Sequence, residues 1–273
     1  MTTQSDYVFT RDYIDNNRIN LQHYHWIEQF GYHLHPQIPT TSSQLRIADV
    51  PTGTGVFLTD ISARLPSTAQ LDGLDISLKA TPPAGWLPPN VSFRQWDIKQ
   101  AVPDDLVEKY DAVHVRLLMF VLHDDEILGI LQKFTKLLKP GGYLQWGEGD
   151  ISSIRIEKTH PDNKIDAITQ LVKIFKSQDT RLTPTWVTKL PALMESAGLD
   201  NIQVDTRDGP SYLNFAMHEA SLMLPEVMVR TTRNQTFAKE VEQILPEAVE
   251  ETRKGAMWSF PKCTVVGRKP TTP

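Results

Sequence analysis

One cysteine, Cys263, stands alone in 273 residues, so the chain forms no internal disulfide, and a single thiol suits a reducing compartment. Long basic runs are missing, and the formal net charge is −5, from 28 Lys and Arg against 33 Asp and Glu. That balance argues against nucleic acid as the main partner. Long apolar runs are missing too. The longest, Leu117 to Leu122, is far too short to cross a bilayer, and Met1 to Arg11 has no apolar core of signal-peptide length. These absences predict a soluble, cytoplasmic protein that engages neither membrane nor nucleic acid. No repeat or low-complexity tract breaks the chain, which is long enough for one elaborated α/β domain.

Two nucleotide signatures are also lacking. No Gly-Lys-Ser/Thr occurs, which removes the phosphate-cradling loop. The third glycine of a dinucleotide fingerprint is replaced by Leu58. What is present is Ile47-Ala48-Asp49-Val50, a short buried strand with an acid near its end, then the turn Pro51-Thr52-Gly53-Thr54-Gly55 and a helix from Val56 to Leu65. Unpaired N–H groups at the helix start face a polar or anionic ligand, and Gly53 and Gly55 let the backbone come close to it. An adenosine ligand with no phosphate fits, and S-adenosylmethionine is such a ligand.

The downstream spacing narrows the choice. A second strand, Ala69 to Ile76, ends at Asp75, placed to accept both hydroxyls of a ribose. A third, Val91 to Ile98, ends at Asp97, placed to accept from an adenine amino group, with Ile98 against the ring. Tyr110 to Val115 reads as the fourth, and Leu138-Lys139-Pro140-Gly141-Gly142-Tyr143-Leu144 as a turn into the fifth. Carried by these motifs, residues 45–150 resemble a class I S-adenosylmethionine-dependent methyltransferase. The run Arg18-Ile19-Asn20-Leu21-Gln22-His23-Tyr24 is similar to the N-terminal helix of fungal natural-product members.

The resemblance implies an α/β fold: a Rossmann-like seven-stranded sheet with helices on both faces. It implies an N-terminal helical cap over residues 1–44 and a methyltransferase domain over 45–273. A helical insert at 207–260 separates strands six and seven and covers the substrate. The cofactor-binding set is then Asp49, Thr52, Gly53, Gly55, Asp75, Ile76, Asp97, Ile98 and Arg116, with Gln22 and Tyr13 from the cap helix expected over residues 6–31. His123, in the loop after strand four, and His23 are the candidate proton acceptors, since an imidazole titrates near neutral pH. Glu148 is a third. His33 and His35 crowd together but lack further ligands at metal spacing, so no metal is expected.

The insert is rich in methionine and leucine, which predicts a small, fairly hydrophobic substrate, or alternatively a homodimer contact through the same helices. Pro51 stands where family members usually have glycine, and proline has no N–H to offer. That keeps open a methyltransferase-fold cyclase or isomerase without net methylation, or a non-catalytic cofactor-binding partner protein.

Overall fold

The structure is a computed structural model that describes residues 9–271. Helix α1 runs Tyr13–Phe30, and residues 6–8 of the longer expected helix lie outside the described residues. Asp12 starts it by accepting the N–H groups of Ile14 and Asp15 at 2.9 and 3.0 Å. Gly31, in the left-handed region, ends it by donating to the Ile27 carbonyl.

Five parallel strands follow: β1 (Arg46–Asp49), β2 (Gln70–Asp75), β3 (Val91–Gln95), β4 (Tyr110–Arg116) and β5 (Leu138–Gly149). Between them lie α2 (Val56–Ser62) and α3 (Ile127–Leu137). The proline-rich link at 81–90 holds only one 3-10 turn, Ala84–Trp86. The later strands are β6 (Arg155–Lys158), β7 (Asp200–Arg207), β8 (Ala256–Ser259) and β9 (Lys262–Arg268). The main sheet has the order β3-β2-β1-β4-β5-β9-β7, with β9 antiparallel to both neighbours. The seven-stranded α/β arrangement expected from the sequence is the one observed.

Central strands covered on both faces must be apolar throughout. β4 shows this: Ala112, Val113, His114 and Val115 are all buried, with His114 the one polar member. On one face of the sheet, Phe57, Leu58 and Ile61 of α2 join Ile47 and Leu71. On the other, Ile127, Ile130, Leu131, Phe134 and Leu137 of α3 join Val113, Val115 and Trp146. Leu128, on the far side of α3 from this stripe, is 37% exposed.

Helices α4 (Asp166–Lys176) and α5 (Leu190–Ser196) lead to β7, and α6 (Ser211–Val229) and α7 (Gln235–Arg253) separate β7 from β8. Glu251 of α7 accepts the N–H groups of Ala167 and Ile168 at 3.1 and 2.9 Å, so this region supplies the cap of α4. The polar stretch at 151–162 contains β6, which pairs with β8 in a second, two-stranded sheet. Its partner is about 100 residues away in the chain, and no local pattern signals the pairing.

Gly55 begins α2 with φ of +75°, and a Cβ there would overlap the Phe93 ring. Gly55→Ala should lower unfolding stability by about 1–3 kcal/mol through backbone strain alone. Adding Phe93→Ala should relieve only the overlap. Urea titration of both variants measures this, and a Gly55→Ala protein as stable as the parent would contradict it.

Candidate functional site

The carboxyl ends of β1 to β4 open on a cavity of about 400 Å³, where the strand order reverses and such folds bind ligands. Asp49, Thr52, Gly53, Asp75, Ile76, Asp97, Ile98, Arg116, Gln22 and His23 all line it. Gly55 does not; it serves the packing of α2 on Phe93. Tyr13 does not either: it is 75% exposed, and Asn16, one turn further along α1, lines the wall instead. His123 lines no part of the cavity. Its N–H donates to Glu126 Oε2 at 2.9 Å and its Nδ1 lies 3.2 Å from Thr180 Oγ1, so it opens the turn before α3.

The glycine turn differs from the expected row of unpaired amides. Thr52 N–H donates to the Leu74 carbonyl, Gly55 N–H to the Thr52 carbonyl, and Gly53 N–H to Asp75 Oδ2 at 2.9 Å. Acceptors within the chain hold all three. Asp49 is likewise engaged through both oxygens, with Thr52 Oγ1 donating at 2.8 Å and His114 Nδ1 at 2.7 Å. His114 stacks flat on Phe57 with ring centroids 3.6 Å apart. It was missed in the sequence, although a histidine within the apolar run of β4 is its visible signal.

Asp75 accepts from Gly53 N–H and from Ser77 N–H, the latter at 3.0 Å, and keeps further lone pairs. Burial pushes its carboxyl up, against the pull of those two amides. Asn16 Oδ1, buried beside the same cavity, has no hydrogen-bond partner among the described residues. Ile98, Trp96, Phe120 and Val121 supply an apolar wall. A carboxylate with spare acceptors, an orphaned amide oxygen and an apolar wall fit a ribose and a purine.

Helix α1 is fastened over this cavity by a relay. Arg116 Nη2 donates to His23 Nδ1 at 2.9 Å, so His23 carries its proton on Nε2, which donates to Asp60 Oδ2 at 3.0 Å. Burial, then Arg116, pulls His23 down to about 4. Its lone pair is occupied and its basicity is low, which removes it as a proton acceptor near neutral pH. Asp60 also takes His33 Nε2 at 2.6 Å and Arg64 Nη2 at 3.0 Å. His33 therefore closes onto α2 and does not sit in a solvated loop. The His23, His33 and Asp60 donor atoms lie within 4.8 Å of one another. A metal would need His23 Nε2, the very atom that holds the proton.

Glu148 is fully buried at the end of β5. Its Oε1 accepts from Leu118 N–H at 2.7 Å and Trp146 Nε1–H at 2.8 Å, fixing the loop after β4, while Oε2 has no partner among the described residues. Burial pushes its carboxyl up to about 8. It is a loop-positioning residue and does not line the cavity.

The fold is the Rossmann-like seven-stranded sheet found in methyltransferases. Residues 47–142 match the methyltransferase domain family. Over this stretch the chain is similar to class I S-adenosylmethionine-dependent methyltransferases, and S-adenosylmethionine is the cofactor of that class. Among similar proteins, Methyltransferase grgD of Penicillium sp is 38% identical over 143 residues, covering 49% of this chain and 48% of its own. N-methyltransferase tcpN of Claviceps purpurea is 30% identical over 154 residues, covering 55% of this chain and 54% of its own. The chain thus spans about half the length of the curated relatives it matches. In fold, it is similar to a chain of the complex between the Haloferax volcanii Trm112 methyltransferase activator and a methyltransferase. That likeness has a TM-score of 0.54 at 16% identity over 94% of this chain and 95% of that one. Among the described residues no helix is long and apolar enough to cross a membrane.

A carboxyl raised to about 8 in the fold and near 4.5 when unfolded contributes stability below pH 4.5 that is lost as pH rises through 8. Glu148→Gln keeps an oxygen for Leu118 and Trp146 and cannot ionise. The variant should gain stability on the parent as pH goes from 5 to 8.5, read from thermal unfolding at each pH. A constant difference across that range would refute the raised carboxyl.

Proposed function

We propose that the protein transfers a methyl group from S-adenosylmethionine to a small, fairly hydrophobic acceptor of the natural-product kind. The observation that carries this reading is the pairing of two adjoining spaces. The large cavity has the adenosine-like features described above. A smaller one of about 50 Å³ continues from it under α6, walled by Trp26, Met217, Leu224, Trp258 and Phe260. Gln22, Leu117 and Phe120 line both and form their common boundary.

S-adenosylmethionine, when bound, supplies an electrophilic methyl group on a sulfonium. The chain's own part is to bind, orient and exclude water. Asp75 and Asn16 would accept from ribose hydroxyls, Asp97 from the adenine amino group, and Ile98 and Phe120 would flank the ring. Helix α1 and the α6–α7 region are assigned as covers, α1 closing the cofactor side and α6 the acceptor side. The cap at 1–44 and the insert at 207–260 are proposed as units on this basis. The names of the relatives, several of them N-methyltransferases, support methyl transfer.

Calorimetric titration with S-adenosylmethionine and S-adenosylhomocysteine tests the reading. Binding of both is expected, in the micromolar range typical of KM values. Asp75→Ala should weaken it by about 100-fold, two lost charge-assisted hydrogen bonds at about 1.5 kcal/mol each. Asp75→Asn, whose single carbonyl oxygen can accept from Gly53 or from Ser77 but not from both, should weaken binding by about tenfold. A ligand-stripped, folded parent that binds neither compound would overturn the proposal, as would full affinity in Asp75→Ala.

A further inference from the structure

The small cavity under α6 contains a cation that the reading above leaves without a task. Lys262, the first residue of β9, lines this cavity and not the larger one. Its Nζ lies 5.6 Å from the centroid of the Trp26 ring, and the Arg116 guanidinium carbon lies 5.6 Å from the same centroid. Among the described residues, neither cation has a carboxylate at ion-pair distance. A cation over an aromatic ring gains about 0.5–2 kcal/mol, whereas taking an ion out of water costs several. One indole does not balance two cations.

The other groups around Lys262 do not supply the missing charge. His25 of α1 is buried, shares the cavity and has no hydrogen-bond partner among the described residues. His218 of α6 is occupied at both nitrogens, by Trp258 N–H and by Thr252 Oγ1. Arg207, its register partner on β7, is paired with Asp205. On β5 its register partner is Gly149, flanked by Glu148 and Asp150, and Asp150 accepts from Ser152 and Ser153. The cavity is therefore largely apolar in its walls and basic at Lys262 and His25, while Arg116, across the Trp26 ring, lines the larger cavity. Burial, then Arg116, pulls the Lys262 amine down to about 7, and burial, then Lys262, lowers His25. An amine so placed exists in both protonation states near neutral pH.

We propose that the acceptor carries an acidic X–H group, such as a phenol, enol, thiol or carboxylic acid, and that this group alone enters the small cavity, as its anion, against Lys262. This rests on the methyl-transfer reading. The X–H bond breaks, its proton forms an N–H bond on the Lys262 amine, and the electron pair stays on X. A neutral pair becomes an ion pair with no change in total charge. The lysine is then both proton acceptor and counter-ion, a task that the positions of His23 and His123 leave open. Lys262 lies 139 residues beyond His123 in the chain, after Pro261, and nothing around it in the sequence marks it as part of a site.

The test uses benzoate and benzamide, probes alike in shape that differ in charge. Their binding to the protein is followed by ligand-observed NMR at pH 6, with and without S-adenosylhomocysteine. Benzoate should bind at least about tenfold tighter. Its advantage should fall as pH rises through about 7, where Lys262 loses its proton. Lys262→Met should abolish the preference while leaving S-adenosylhomocysteine affinity and melting temperature in place, and Lys262→Arg should keep it. Equal binding of the two probes, or a benzoate preference that survives in Lys262→Met, would overturn the proposal. A protein that prefers benzoate through Lys262 but binds no S-adenosylhomocysteine would keep the anion site and sink the methyl-transfer reading.

Discussion

A single buried carboxylate, Asp49, ties together the side chains of three parts of the chain. It ends β1, grips the glycine turn through Thr52, and reaches across to β4 through His114. Burying an ion of this kind costs several kcal/mol unless its oxygens are hydrogen-bonded, and both are. Asp75 repeats the device one strand over, holding Gly53 and Ser77. The turn that forms the floor of the cavity is thus shaped from beneath by two acids. Its conformation does not wait for a ligand, because the chain itself holds the Thr52, Gly53 and Gly55 amides.

Neutral imidazoles are the second recurring element. His23 and His218 are each fixed in one tautomer by a donor on Nδ1 and an acceptor at Nε2. His23 ties α1 to α2 and β4, and His218 ties α6 to α7 and β8 within the 207–260 segment. Burial keeps both uncharged, so they act as directional connectors. A lysine or arginine at either place would have to bring a counter-ion with it.

What could be read from the sequence was local in origin. Strands one to five, the acids at their ends and the glycine turn follow fixed short spacings, and the structure places Asp49, Asp75 and Asp97 around one cavity as those spacings imply. The features that escaped depend on partners far along the chain. Gly55 looked like part of the ligand cradle because the Phe93 ring behind it is 38 residues away. His23 looked basic because Arg116 and Asp60, which settle its proton, come from two other elements. His123 looked poised for chemistry because a loop position gives no direction, and Glu126 and Thr180 set that direction. Strand β6 was invisible because β8 completes it.

The placement of α1 also bears on how the chain acquires its shape. This helix precedes every strand, yet its fastenings come late: Arg116 on β4, then Arg207, whose guanidinium reaches the Gln29 and Phe30 carbonyls while its own carbonyl accepts from Gln29. Trp26 lies over Gly147 of β5, where any side chain would displace it. During synthesis α1 therefore emerges with its apolar face uncovered and nothing to dock on until most of the sheet exists. This wall of the cavity is made before the strands and is among the last parts to be put in place, so a chain truncated before β7 would have strands but no closed site.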